Sequence, residues 1–483
     1  MVVAQFLHAR DSNDFDHYFN NQTLRIDYYH TGDASDELFT LDEIYLQGPW
    51  AGNPSYCIQP FELGTYKVCI YDLATNKVIY TKGYNSIFAE YQTTGPALKG
   101  EKTTMHESVL VPRPKNPFRL IIEKRNKQNI LFPVYTLKID PADYHINTES
   151  YKKKEVEVVT VVNNGNPANC VDLVILAEGY QADEKGKFMN DLHYYTGLLF
   201  STEPYKSRKQ LFNISGVFVP ADESGTDEPR QGIYKNTPFN SSFNALELDR
   251  YCLAQDNKSI RDAAASVPYD VILIMVNKDR YGGGGIYNWQ TVFCTGSPWR
   301  DYVFLHEFGH GFAGLGDEYY GSPVTYEDFY TPGVEPLEAN ITALPDPDNV
   351  KWKQYLSPGI AVPTEWGKAT YDSMNNEAAK IRGEMGKTLD SLRKSSASAD
   401  VVRKVETDFQ VKLDRINREI TDFVDNHPLK DKVGVFEGAN YMTKGLYRPT
   451  IMSLMHRFSE NDRSYGFVNE QAIISVIRYY TDK

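Results

Sequence analysis

His306, Glu307 and His310 stand together in a His-Glu-x-x-His string. On a helix, positions four apart lie about 40° apart in azimuth and one turn apart in height, so both imidazoles can face one ion. Zn²⁺ accepts imidazole nitrogen at about 2.0–2.1 Å, a distance this spacing permits. Glu307 is rotated by about 100° from its neighbour and reaches instead the water that attacks, where a carboxylate serves as general base. A string of this kind arises by accident in on the order of one chain in a hundred of this composition, so its surroundings must carry part of the case.

Those surroundings are favourable. The run 302–312 has a helical pattern, and glycines follow where a helix should stop. In the metzincin pattern a third ligand lies six residues after the second histidine, with glycine at three. Here Gly316 occupies the sixth place and cannot ligate; Gly314 falls at four and Asp317 at seven, as though one residue were inserted. Asp317 is the expected third ligand, with Glu318 next and Glu470 a more distant alternative. The carboxylate of the Asp317–Glu318 pair that does not ligate is expected to orient a histidine N–H. Downstream, Pro449-Thr450-Ile451-Met452-Ser453-Leu454-Met455-His456 has the character of a Met-turn. Met455 would floor the metal, Met452 is the alternate, and His456 reads as a wall residue. Tyr319, Tyr447 and Tyr465 are unranked candidates to stabilise a tetrahedral oxyanion.

The elements that must position these residues follow from periodicity. Residues 1–150 carry short β-branched and aromatic runs (24–29, 66–71, 77–80, 119–123) divided by turn residues, which predicts an antiparallel β-sandwich. Runs 66–70 and 77–82 form a hairpin around 72–76, and a last strand near 152–162 leads into an inter-domain turn. Beyond Cys170 the continuous apolar runs 171–177 and 269–276 are strands covered on both faces, alternating with helices at 183–199 and 243–255. A strand near 212–219 and another at 286–294, opened by Gly282–Gly285 as a loop, complete a largely parallel sheet. A strand at 286–294 above the motif helix would hold a peptide extended by backbone pairing. Residues 370–427 look inserted: Val402, Val405, Phe409, Leu413, Ile416, Ile420 and Phe423 step by three and four, the seam of an antiparallel helical hairpin broken near 394–398.

Composition narrows the function classes. The 483 residues hold 51 Lys+Arg against 64 Asp+Glu, a net charge of −13 that disfavours a nucleic-acid partner. No window approaches 18 uninterrupted apolar residues, so no transmembrane segment is expected. Five cysteines without a CxxC pair read as buried small hydrophobes rather than a disulfide framework or a cysteine zinc site. The first eight residues lack the basic start and apolar core of a leader.

With these residues in view, the sequence resembles the IgA-specific metalloendopeptidases of gut bacteria and their relatives. The resemblance rests on Val171 to Tyr180, on Asp222-Glu223-Ser224-Gly225-Thr226-Asp227, on the His306 to Tyr319 motif and on Ser453-Leu454-Met455. It implies a multidomain α+β chain: an N-terminal β-sandwich (1–150), then a metzincin-like α/β zinc-peptidase domain (151–483) carrying the hairpin as an insertion. It further implies one catalytic zinc ion held by His306, His310 and Asp317, Glu307 as base, Met455 in the Met-turn, and a protein or peptide substrate. Export is implied as well, so the chain is expected to be secreted, periplasmic or on the cell surface, with its leader trimmed. Two other classes fit less of the pattern. One is a surface protein that grips protein or glycan with a degenerate peptidase domain, against which the intact Glu307 argues. The other is a zinc deacetylase or amidase, which a substrate screen separates.

Overall fold

The computed structural model describes residues 15–149, 156–320, 330–395, 397–457 and 463–482. Readings on residues 1–8 and 152–155, and on Ser396 in the predicted hairpin turn, fall outside these residues.

A one-turn helix α1 (Phe15–Tyr18) leads into β1 (Phe19–Gly32), β2 (Glu37–Leu46), β3 (Tyr66–Asp72) and β4 (Val78–Tyr84). Two short helices, α2 (Ile87–Tyr91) and α3 (Gly95–Leu98), precede β5 (Thr103–Pro114), β6 (Phe118–Arg125) and β7 (Leu131–Ile139). The strands make two antiparallel sheets, ordered β2-β1-β5 and β4-β3-β6-β7. Leu24, Ile26 and Tyr28 from one sheet share a core with Val68, Ile70, Leu120 and Ile122 from the other. The Tyr28 and Tyr84 hydroxyls meet at 3.0 Å between the sheets. The hairpin expected from the sequence is present as β3 and β4, paired from Tyr66↔Tyr84 to Tyr71↔Val78. Asp72 braces its turn by accepting from the backbone N–H of Thr75 at 2.8 Å.

The second layer system begins with β8 (Glu157–Val162) and β9 (Val171–Glu178), then α4 (Lys185–Leu199), β10 (Phe212–Phe218), β11 (Ser241–Ser242) and β12 (Leu253–Ala254). It continues through α5 (Asn257–Ala264), β13 (Val271–Val276), β14 (Gly283–Ile286), β15 (Gln290–Cys294) and α6 (Arg300–Ala313). Six strands form one sheet in the order β14-β15-β13-β9-β10-β8. The four inner strands run parallel, and β14 and β8 are antiparallel edges. The strand read before the inter-domain turn therefore joins this sheet, pairing β10 rather than the sandwich.

Alternation along β9 sorts its side chains between two cores. Leu173, Ile175 and Ala177 pack with α4, α6 and a last helix α9, introduced below, whereas Val174 and Leu176 join the core that continues into the sandwich. The sandwich thus covers the face that helices cover on the other side. Burial of β1 on both faces follows. Arg25 and Asp27, charged residues of this strand, are fully buried, and Arg25 bonds Asp27 and Asp262 of α5 at 2.8 Å each.

Two local readings are corrected. The helix expected over 243–255 does not form, because Asn244, Leu246 and Glu247 take positive φ. The helix starts instead where Asp256 caps it, accepting from Ser259 N–H at 3.0 Å. The glycines 282–285 are not a loop: β14 itself runs Gly283–Ile286, and Asn288, at φ 53°, turns it into β15. A Cβ on Gly285 would lie 2.1 Å from the Glu307 carbonyl oxygen, so only glycine lets this edge strand press so closely on α6.

The predicted hairpin is present as α7 (Lys368–Lys394) and α8 (Ala399–Asp425), followed by β16 (Phe436–Ala439), β17 (Met442–Arg448) and α9 (Phe467–Thr481). Leu413, Ile416 and Ile420 of the heptad seam are buried. The base of the hairpin packs Tyr371, Ile420 and Val424 against Trp366, Phe436 and Ile451. Among the described residues no helix is long and apolar enough to cross a membrane. All five cysteines are free, and four of them are buried.

Candidate metal centre

Helix α6 carries His306 and His310 on one face, and Gly314 at φ 59° ends it in the left-handed conformation. Gly314 N–H closes on His310 O at 3.0 Å and Leu315 N–H on Gly309 O at 3.3 Å, so the chain doubles back beneath the histidines. That reversal puts Asp317 beside them. Its Oδ1 lies 3.1 Å from His306 Nε2 and 3.2 Å from His310 Nε2, and the two Nε2 atoms are 3.1 Å apart.

Each imidazole is committed on its other nitrogen. His306 Nδ1 donates to Leu454 O at 2.9 Å and His310 Nδ1 to Leu315 O at 2.6 Å. Such hydrogen bonds turn the Nε2 lone pairs toward a shared point, as metal-binding histidines require. Asp317 Oδ1 is buried without a hydrogen-bond partner among the described residues. Burial alone would raise the Asp317 carboxyl, but His310 and His306 hold it far below the usual carboxylate range. Burial likewise opposes a charge on His310, yet Asp317 and Glu307 push it up to about 9. Two nitrogens and one carboxylate oxygen in a pocket that favours positive charge fit a zinc ion: the three residues could hold one.

Glu318, the alternate ligand, points away. Its carboxylate accepts from Ser453 Oγ at 2.7 Å, Asn469 Nδ2 at 2.8 Å and Asn340 Nδ2 at 3.0 Å, and it is fully buried. Its backbone N–H donates to Met455 O at 2.8 Å, tying the ligand loop to the Met-turn segment. Met455 lies under α6: a Cβ on Gly309 would be 2.7 Å from its sulfur. Met452 packs instead in the cluster at the hairpin base. Glu470 sits in the first turn of α9 and takes a hydrogen bond from Ser464 Oγ at 3.3 Å, apart from the donor cluster.

The family model described as IgA peptidase M64 matches residues 159–477, and the model for the peptidase M64 N-terminus matches residues 14–136. The chain belongs to the IgA peptidase M64 family. A search among curated proteins finds no match. M64 peptidases are metallopeptidases, so this member acts on protein substrates, and the cluster above is the group among the described residues of α6 and its loop that could hold the metal.

In this M64 peptidase the donor cluster opens into a cleft of about 800 Å³ that the sandwich walls on one side, through Gly64, Glu90 and Arg125 among others. Glu307 lines the cleft, half-buried, with no hydrogen-bond or ion-pair partner among the described residues. Of the three tyrosines expected to serve an oxyanion, Tyr319 alone reaches it. Tyr319 stacks on His306 at 6.2 Å between ring centroids. Tyr447 faces the Trp352–Val435 cluster, and Tyr465 is buried behind α6 with its hydroxyl on Leu305 O. The residues missed by the sequence reading come from afar. Tyr441 donates to Asp317 Oδ2 at 2.5 Å and meets the Tyr319 hydroxyl at 3.3 Å. Asn340 bonds both Gly316 and Glu318. Glu90 of the sandwich accepts from Tyr251 at 2.6 Å, and burial, with Glu307 nearby, pushes its carboxyl up to about 7. No local pattern marks any of them. His456 does line the cleft as a buried wall residue, kept neutral by burial and by Arg448 and Arg457.

Proposed function

We propose that the chain is an exported, zinc-dependent endopeptidase whose metzincin-like domain hydrolyses peptide bonds in protein substrates. The observation that carries this reading is the convergence of His306 Nε2, His310 Nε2 and Asp317 Oδ1 with both Nδ1 atoms spent on carbonyls. His306, His310 and Asp317 would be the ligands, and a bound zinc ion supplies Lewis acidity that polarises a carbonyl and acidifies water.

The protein's own groups do the rest. Glu307, free of partners and facing the cleft, takes the proton from the attacking water and returns it to the leaving amine. The glycine strand β14 is the edge of the sheet beside α6; beyond Gly283, which Tyr251 bridges, an extended peptide can add as a further strand and bring its carbonyl to Glu307. Tyr319, with Tyr441 as its hydroxyl partner, is the group placed to donate to an oxyanion. Met455 supports α6 from below as the Met-turn residue. In this reading the sandwich is one domain (1–150) and the peptidase, with its hairpin insertion, the other (151–483).

Metal analysis and peptide-library cleavage on the parent protein and on Glu307→Ala test the proposal. About one zinc per chain in both, with cleavage lost only in Glu307→Ala, is the expected result. Undiminished cleavage by Glu307→Ala, or no zinc in the parent, would overturn it.

A further inference from the structure

Several basic side chains line the cleft of this acidic chain. Elsewhere on the surface Lys102, Lys258, Lys278 and Arg280 each contact a carboxylate. Inside the cleft Lys127, Arg250 and Arg457 have no carboxylate within ion-pair distance among the described residues, although the chain has 64 acidic groups to 51 basic ones. Of the carboxylates facing them, Glu307 has no partner among the described residues, and the others are engaged or held neutral more readily. Glu338 accepts from Tyr330 at 2.5 Å, Asp317 belongs to the donor cluster, and Glu90, bonded by Tyr251, keeps its proton to about 7.

Arg250 is the best placed of the three. It feels the fields of Tyr319, Tyr281, Tyr441 and Glu307, yet contacts none of these as a salt bridge or hydrogen bond. Its backbone is fixed against the glycine edge: Tyr251 bridges Gly283, and the Arg250 carbonyl oxygen lies 2.8 Å from where a Cβ on Gly282 would sit. A peptide added to β14 beyond Gly283 therefore begins beside this segment, with the exposed guanidinium lining the same cleft as Glu307 and within its field. A guanidinium without a partner is a fork of donors suited to a carboxylate, which it binds in bidentate fashion.

We infer that the cleft selects peptides bearing an acidic side chain next to the bond that is cut, and that Arg250 reads it. This rests on the peptidase reading for its substrate class but not for its measurement. Labelled peptides differing only by Glu, Gln or Lys at each position around the centre are titrated by anisotropy against full-length, zinc-loaded Glu307→Ala, at low and high salt. At one position the Glu peptide should bind about tenfold tighter than its Gln counterpart, and salt should erode the difference. Adding Arg250→Gln should erase that preference while leaving the Gln peptide's affinity and the circular dichroism unchanged; Arg250→Glu should turn the preference toward Lys. Equal binding of the three peptides, binding of none, or a Glu preference that survives Arg250→Gln overturns the inference. Turnover by the parent separates the two claims. Cleavage without a Glu preference leaves the peptidase standing and removes this specificity; a Glu preference in binding with no cleavage of any peptide does the reverse.

Discussion

The phenol of Tyr441 donates to Oδ2 of Asp317 at 2.5 Å across 124 residues of sequence, so the carboxylate that faces the two histidines is oriented by a residue on the turn between β16 and β17. Asn440 and Tyr441 take positive φ, 48° and 68°, and Asn440 N–H donates to Asp317 O at 2.8 Å, which locks that turn to the ligand loop. Tyr441→Phe should keep the fold and lower zinc affinity by about 10–100-fold, the usual cost of losing a group that orients a ligand. Competition with a chromophoric chelator measures it; unchanged affinity would show that the phenol does not tune Asp317.

Glu318 is predicted to be a structural carboxylate. Glu318→Ala leaves the donors of Ser453, Asn340 and Asn469 facing a buried void, each worth about 1–3 kcal/mol when unsatisfied. A loss of about 3 kcal/mol or more in urea unfolding is expected. Glu318→Gln should cost less and retain about one zinc per chain, which would not hold if Glu318 were the third ligand.

At β14 the expectation is steric. Gly285→Ala would drive its methyl to 2.1 Å from the Glu307 carbonyl oxygen, a backbone atom that cannot swing aside. Peptide cleavage should fall by an order of magnitude or more with the edge strand displaced. Gly186→Ala, on the open face of α4, should be silent in the same assay.

A pH effect on stability is expected far from the cleft. Asp172 and Asp270 meet at the starts of β9 and β13, where Asp172 N–H donates to Asp270 Oδ2 at 3.0 Å. Burial raises both carboxyls, and Asp172 is raised further by the charge of Asp270. Folded-state values above the unfolded ones mean that the folded chain binds more protons. The pair's contribution is therefore fully present below the unfolded carboxylate range and is lost as pH rises through the raised values. Melting temperature should fall from mildly acidic to alkaline pH, and Asp172→Asn should flatten that slope. Parallel curves for variant and parent would rule the pair out as the cause.

Much of this was legible in the chain itself. The His306 and His310 pair, the apolar runs of β9 and β13 and the hairpin seam from Val402 to Phe423 are set by local period, because side chains that share a face of a helix or strand recur at fixed intervals. Glycine spacing likewise marked the end of α6. The ligand spacing, read one residue late, made Asp317 the expected ligand.

Tertiary structure alone decided what depends on direction after a turn or on contacts between distant segments. Asp317 and Glu318 are adjacent and chemically alike; the reversal at Gly314 sends one to the histidines and the other to Ser453, Asn340 and Asn469. Met455 rather than Met452 lies under α6 because Gly309 leaves room for its sulfur. Tyr441, Glu90 and Arg250 enter the cleft from three separate segments, and Tyr447 and Tyr465 are carried out of it. Spacing along a chain encodes which residues share an element's face, whereas which elements share a cleft is set by packing, and no interval in the sequence carries that information.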